Sequence, residues 1–194
     1  MQDNKDSQEC VDSKEILVLK EKVVFHKDFP KPGVNFCDIF SLLRDPALTE
    51  NLFNNSVRAV KNFCKLNNTE VNTIIGFESR GFLVGMALAD RMKLSFVPLR
   101  KKNKLPGECI KVAYSTEYSS DTLELQTGIL NSKSKCLLVD DLIATGGTLI
   151  AAEKAIEQID GAQITGYFCV FEVKCIEGRK NLKHPNNLIT LIDI

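Results

Sequence analysis

The sequence predicts an α/β fold, a mostly parallel sheet covered by helices on both faces. Three observations carry that prediction. Short apolar runs alternate along the chain with stretches that are apolar at helical spacing. Three loops rich in glycine or charge follow predicted strands, where parallel sheets place their ligands. The 194 residues suit one domain of roughly 100 to 200 residues, able to bury about 70% of the surface its unfolded chain exposes.

The polar, acidic start MQDNKDSQECVDSKE predicts a frayed tail over about residues 1–12. FPKPGVNFCDIF (29–40) carries two prolines, a glycine and aromatics, and reads as an ordered but irregular segment with its own apolar anchors. PALTENLFNNSVRAVKNFCK follows, with Leu48, Leu52, Phe53, Val57, Val60 and Cys64 at helical spacing. VNTIIGF (71–77) reads as a buried strand, 81–92 as a helix and 94–100 as a strand. The polar, basic block 101–121 is a loop or flexible hairpin, with a short strand at 123–126. SKCLLVDD (134–141) is a strand, 148–159 a helix, and 163–173 and 187–193 two further strands.

Twenty-five basic residues balance 25 acidic ones. A chain of zero net charge is not built to attract nucleic acid or an anionic membrane, so anion binding has to come from a local site. No run approaches the 18 or so apolar residues of a membrane helix. The seven scattered cysteines form no CxxC pair. Together with the lack of a signal-like start, they predict reduced thiols in a cytoplasmic protein.

The loop after Asp140 and Asp141 poses the chemical question. Ala144, Thr145, Gly146, Gly147 and Thr148 lead straight into a helix. The first N–H groups of a helix lack internal partners and sit at its positive end, so a glycine-rich turn there can wrap a phosphate. Alone, the turn fits an ordinary helix cap as well. The two acids shift the balance, because carboxylates accept bonds from hydroxyls and suit magnesium. A ribose 5-phosphate offers hydroxyls at one end and phosphate at the other. In GFESRGF, Glu78, Ser79 and Arg80 form a second turn whose amides and guanidinium suit a pyrophosphate. LRKKNKLPG supplies Arg100, Lys101, Lys102 and Lys104. Read alone, the last two stretches fit an ordinary turn and a solvated loop.

VDDLIATGGT resembles the phosphoribosyl pyrophosphate signature of the type I phosphoribosyltransferase family. DFPKPGVNFCDI, GFESRGFLVG, LRKKNKLPG, YSTEY and GRKNL have counterparts, in the same order, in its adenine-specific members. The resemblance covers nearly the whole chain after about residue 20. It implies a single domain over 1–194 with the type I fold, a small N-terminal hood over about 13–45 and a mobile catalytic loop over about 101–124. The implied reaction joins adenine to phosphoribosyl pyrophosphate, giving AMP and pyrophosphate, with Mg2+ carried mainly by the substrate and no dedicated metal cage. A homodimer is implied, with neither nucleic acid nor membrane as partner.

Carried over residue by residue, the resemblance gives Asp140, Asp141, Ala144, Thr145, Gly146, Gly147 and Thr148 to the ribose phosphate. It gives Glu78, Ser79, Arg80, Arg100, Lys101 and Lys104 to pyrophosphate, with Arg100 and Lys104 catalytic through the departing charge. Glu117 becomes the acid/base at the purine N7, and Tyr118 closes the loop over the site. Asn35, Phe36, Cys37 and Val173 hold the base, Asn35 and Cys37 through main-chain groups. Glu78 stands where aspartate is usual, Asn35 where an apolar residue is usual, and Cys37 where arginine is usual. Those two departures in the hood keep another purine base open as the acceptor. A non-catalytic sensor of the donor would carry a DNA-binding segment and a basic surplus, which this sequence lacks. An inactive homologue stabilising a partner is disfavoured by the retained Glu117, Arg80 and basic loop.

Overall fold

The computed structural model describes residues 13–116 and 119–194. The chain divides into two compact units, one ending at Asn67 and the other beginning at Asn68. The expected tail at 1–12 lies outside the described residues.

The first unit opens on a helix, α1 (Ser13–Lys22), that the periodicity did not reveal. Leu19 is its one buried residue, and polar contacts supply the rest. The Glu15 carboxylate accepts from Asn55 Nδ2 (2.7 Å) and Arg58 Nη1 (3.1 Å). Both partners lie on the long helix α3 (Pro46–Leu66). There Asp45 caps the amides of Ala47 and Leu48, and Pro46 occupies a first-turn position whose missing N–H costs nothing. Leu52 and Val60 are buried as expected, but Asn55 and Ser56 share the stripe. They are tolerated because each is hydrogen-bonded.

Between these helices, β1 (Val24–Lys27) pairs antiparallel with β2 (Asn35–Asp38), with Val24 opposite Asp38 and Lys27 opposite Asn35. The segment read as irregular therefore contains a strand. Its aromatic anchors are real: Phe29 meets Phe36 edge-on at 5.2 Å. The Phe29–Pro30 peptide is cis, and Gly33 N–H donates to Asp28 Oδ1 (2.7 Å). A short helix α2 (Phe40–Leu43) leads into α3.

Among the described residues the second unit has seven strands: β3 (Thr73–Phe77), β4 (Ser95–Lys101), β5 (Cys109–Thr116), β6 (Ser119–Gln126), β7 (Lys135–Ile143), β8 (Gln163–Glu172) and β9 (Leu188–Asp193). Their order is β5-β6-β4-β3-β7-β8-β9. The five strands from β4 to β9 run parallel, and the β5–β6 hairpin adds an antiparallel edge. The mostly parallel sheet of the sequence reading is thus present.

Strand alternation explains the two helical layers. Ile74 and Gly76 approach Gly85 of α4 (Arg80–Met92). Ile75 and Phe77, on the other face, join Leu149, Ala152 and Ile156 of α5 (Gly147–Ile156) in the main core. From β3 the chain crosses to β4 on one side, while β7 lies on the other. That divergence is a topological switch point, and it leaves a crevice beyond the C-terminal ends of β3 and β7.

Candidate active site

A cavity of about 300 Å³ occupies that crevice. Its walls are the 78–80 turn after β3, Lys101 at the end of β4, Leu123 on β6 and the continuous segment 140–149. Predicted residues that line it are Glu78, Ser79, Arg80, Lys101, Asp140, Asp141 and all of Ala144–Thr148. Arg100 and Lys104 adjoin it without appearing in its walls. Val173 continues the ladder beyond β8, its N–H donating to Ile143 O (3.0 Å), and stands outside the cavity lining. Glu117 and Tyr118 lie outside the described residues. Asn35, Phe36 and Cys37 belong to the first unit, where Asn35 is exposed, Phe36 half-buried and Cys37 buried.

The two acids do not terminate their strand, as the sequence had implied. β7 runs on to Ile143, because Leu142 and Ile143 still pair with Phe171 and Glu172. Both residues nevertheless line the cavity. Asp141 N–H donates to Asp140 Oδ1 (2.9 Å). Asp141 itself is only 2% exposed, and its Oδ2 stands 3.1 Å from Arg80 Nε. This ion pair is not aligned as a hydrogen bond, so Oδ2 still has an unused acceptor position. Burial pushes the Asp140 carboxyl well above the usual range, and the neighbouring Asp141 charge adds to the effect. Burial raises Asp141 too, against the pull of Arg80. Two desolvated acids with spare acceptor capacity are suited to a ligand that donates several hydroxyl protons.

The turn at 144–148 has the curvature an anion needs. Gly146 adopts φ +83°, a conformation that a side chain disfavours, and α5 begins at the next residue. The residues of that helix start, whose first amides lack partners within the helix, line the cavity together with Thr145 and Thr148.

Across the cavity the Glu78–Ser79 peptide is cis. The Glu78 carboxylate is engaged by Arg100, Oε2 with Nε at 3.0 Å and Oε1 with Nη2 at 3.1 Å. Arg100 holds its carboxyl below the usual range. The remaining Arg100 nitrogen donates to Lys104 O (3.0 Å). Glu78 therefore ties the first turn to the basic loop, whose own shape is fixed by β6. Lys102 N–H donates to Thr122 O (3.0 Å), Asn103 N–H to the buried Glu124 carboxylate (2.9 Å), and Lys101 Nζ sits 3.3 Å from Asp121 Oδ2. Sequence reasoning missed Asp121, Glu124 and Leu123, since acids and a leucine in a polar hairpin carry no motif.

The family model for the phosphoribosyl transferase domain matches residues 48–187. The chain is 42% identical over 168 residues to the adenine phosphoribosyltransferase of Francisella philomiragia, covering 87% of this chain and 93% of that one. The chain belongs to the phosphoribosyltransferase family, in its adenine phosphoribosyltransferase branch. The enzyme of Prochlorococcus marinus strain MIT 9313 is 45% identical over 157 residues, covering 80% of this chain and 86% of its own. Among solved structures, adenine phosphoribosyltransferase from Saccharomyces cerevisiae, complexed with an imino-altritol bisphosphate and adenine, superposes with a TM-score of 0.83. It is 36% identical and covers 93% of this chain and 100% of its own. The Trypanosoma brucei enzyme, in complex with AMP, pyrophosphate and ribose-5-phosphate, gives a TM-score of 0.82 at 25% identity over 95% of this chain and 81% of its own. The type I fold and the transferase class expected from the sequence are both present.

Proposed function

We propose that this protein transfers the phosphoribosyl group of phosphoribosyl pyrophosphate to adenine, releasing pyrophosphate and forming AMP. The observation that carries the reading is a single cavity lined by the half-buried Asp140 and the buried Asp141, an anion-shaped helix start and the Ser79–Arg80 turn. The adenine specificity of the relatives supports the choice of base.

The 144–148 amides and the Thr145 and Thr148 hydroxyls take the 5-phosphate. Asp140 and Asp141 accept from the ribose hydroxyls, and their charge favours the positive character that grows at C1 as the leaving group departs. Arg80, Ser79 and Lys101 face the pyrophosphate, while Arg100 and Lys104 add charge from behind. Glu78 acts through Arg100, because its carboxylate is already committed there. Adenine N9 forms the bond to C1 as the C1–O bond to pyrophosphate breaks. The N7 proton passes to Glu117, and Tyr118 helps exclude water. Phe36 and Val173 hold the purine ring, and the main chain at Asn35 and Cys37 reads its edge.

Magnesium suits the hard carboxylate oxygens of Asp140 and Asp141, Asp141 Oδ2 having an acceptor position to spare. Arriving with the donor, it would offset the pyrophosphate charge. The protein is proposed to work as a cytoplasmic homodimer.

The deciding experiment is a steady-state assay of each purine base with the phosphoribosyl donor and magnesium. AMP formed from adenine is the expected result. Turnover of a different base instead would reassign the acceptor, and no turnover with any base would overturn the enzymatic reading.

A further inference from the structure

The GRKNL stretch has no part in the chemistry above, yet it packs against the back of the phosphate loop. Gly178 is buried at the start of a 3-10 turn over Gly178–Asn181. A Cβ there would collide with Ala144 O and lie 2.7 Å from the Thr145 carbonyl carbon. Its φ is not in the left-handed region, so glycine is required by close approach rather than by conformation. Gly178 O in turn lies 3.0 Å from where a Cβ on Gly146 would stand. Asn181 Nδ2 donates to Thr145 O (3.2 Å). Lys183 N–H donates to Glu153 Oε1 (3.0 Å) on α5, which ties the same segment to the helix that follows the loop.

The turn is itself anchored. Arg179 gives Nε and Nη2 to Glu172 at the end of β8. It also gives Nη1 to Leu188 O (2.7 Å) and Pro185 O (3.4 Å), and Nη2 to Thr190 Oγ1 (3.2 Å). A basic residue beside a phosphate loop invites assignment as an anion ligand. This guanidinium has its donors spent on the protein.

None of residues 178–182 lines the cavity, whereas all of 144–148 does. We infer that Gly178 and Asn181 are positioning residues that hold the Thr145–Gly146 backbone in its phosphate-binding curvature from behind. Donor affinity then depends on a turn that never touches the donor. The inference rests on the reading of 144–148 as the 5-phosphate site.

The test is calorimetric titration of ribose 5-phosphate into wild type, Gly178→Ala, Asn181→Ala and Asn181→Gln, with steady-state kinetics and melting curves for each. Gly178→Ala should raise the ribose 5-phosphate Kd and the KM for the phosphoribosyl donor by about tenfold or more, since backbone rather than a mobile side chain must yield. Asn181→Ala should raise both by about fivefold, the effect of one net hydrogen bond, with KM for adenine unchanged and partial recovery in Asn181→Gln. Should Gly178→Ala not fold, Asn181→Ala, which loses one exposed bond, decides. Folded variants that bind ribose 5-phosphate within about twofold of wild type, whatever their melting temperature, would overturn the inference while leaving the phosphate site intact. Absence of binding by wild type would overturn the phosphate reading and this inference with it.

Discussion

Glu78 and Arg100 face each other as a planar fork, with two N–O distances of 3.0 and 3.1 Å across 22 residues of sequence. The pair joins the turn after β3 to the loop after β4, so the proposed pyrophosphate groups move as one unit. Arg100 also lies 5.9 Å from the Phe82 ring centroid, which limits its swing. Lysine cannot reproduce a fork, so Arg100→Lys should lower kcat/KM for the donor by about tenfold or more. Melting should change little, because both side chains keep some solvent contact (31% and 18%) and such pairs contribute at most about 1 kcal/mol. Kinetics of Glu78→Gln, Arg100→Lys and the double variant check this. The double variant should lose clearly less than the sum of the single losses, since both act through one contact. Additive losses would show that the two residues act separately.

The acids should trade stability for function. The folded protein raises both carboxyl pKa values above the ordinary 3.8, with Asp140 raised furthest. Their ionisation therefore opposes folding: this part of stability is full below about pH 4 and is lost as pH rises through the folded values. Asp140→Asn removes the Asp140 share of that slope, so its melting temperature at neutral pH should equal or exceed that of wild type. Turnover should nevertheless fall by about 100-fold, as expected when a group aimed at developing charge is neutralised. Calorimetry from pH 4 to 8 and steady-state rates give the two readings. A variant that melts lower than wild type at pH 7 would contradict the burial argument, and unchanged turnover would contradict the ribose contact.

The sheet and the site differed in how plainly the sequence announced them. β3, β7 and β8 are nearly continuous apolar runs because consecutive residues on both of their faces are buried, and such runs stand out. The loop after β7 drew notice because adjacent acids precede a glycine-rich turn, whereas the turn after β3 read alone as an ordinary one and was singled out only through the family resemblance. α1 was hidden because SKEILVLKEK buries only Leu19 and is held by Glu15 through Asn55 and Arg58, contacts that leave no periodic trace. The end of β7 was misjudged because Asp140 and Asp141 look like a terminus, whereas pairing with Phe171 and Glu172 keeps the strand going. The brace at Gly178 and Asn181 is a relation between segments more than 30 residues apart, and only the folded chain displays it.

Glu172 marks a pH limit at the acidic end. It is only 3% exposed and accepts from Arg179, Lys174 and Thr190. Those contacts hold its carboxyl down at about 2, against an ordinary 4.5. A lowered value means that stability is present above about pH 4.5 and is lost as pH falls towards 2. The shift corresponds to about 3 kcal/mol at neutral pH. Arg179→Ala leaves that charge with weaker partners and should cost about 3 kcal/mol or more in urea unfolding at pH 7. At pH 3 the difference between variant and wild type should shrink. A constant difference across pH would mean that Arg179 stabilises by packing alone.

Lys101 is a cavity cation whose partner lies outside the cavity lining. Its Nζ stands 3.3 Å from Asp121 Oδ2 on β6, and its side chain is 57% exposed. Such a pair contributes well under about 1 kcal/mol, weak enough for a pyrophosphate of roughly three negative charges to outcompete it. Asp121 should therefore tax anion binding at the cavity, and Asp121→Asn should release Lys101. We expect the KM for the phosphoribosyl donor to fall about two- to fivefold and inhibition by added pyrophosphate to strengthen by a similar factor. Slower product release would then reduce kcat slightly while kcat/KM rises. Raising the salt from 50 to 500 mM should erase most of the difference, because this contact is exposed and screened. A rise in donor KM on Asp121→Asn would show instead that Asp121 is needed to aim Lys101, and the sign of the change alone separates the two roles.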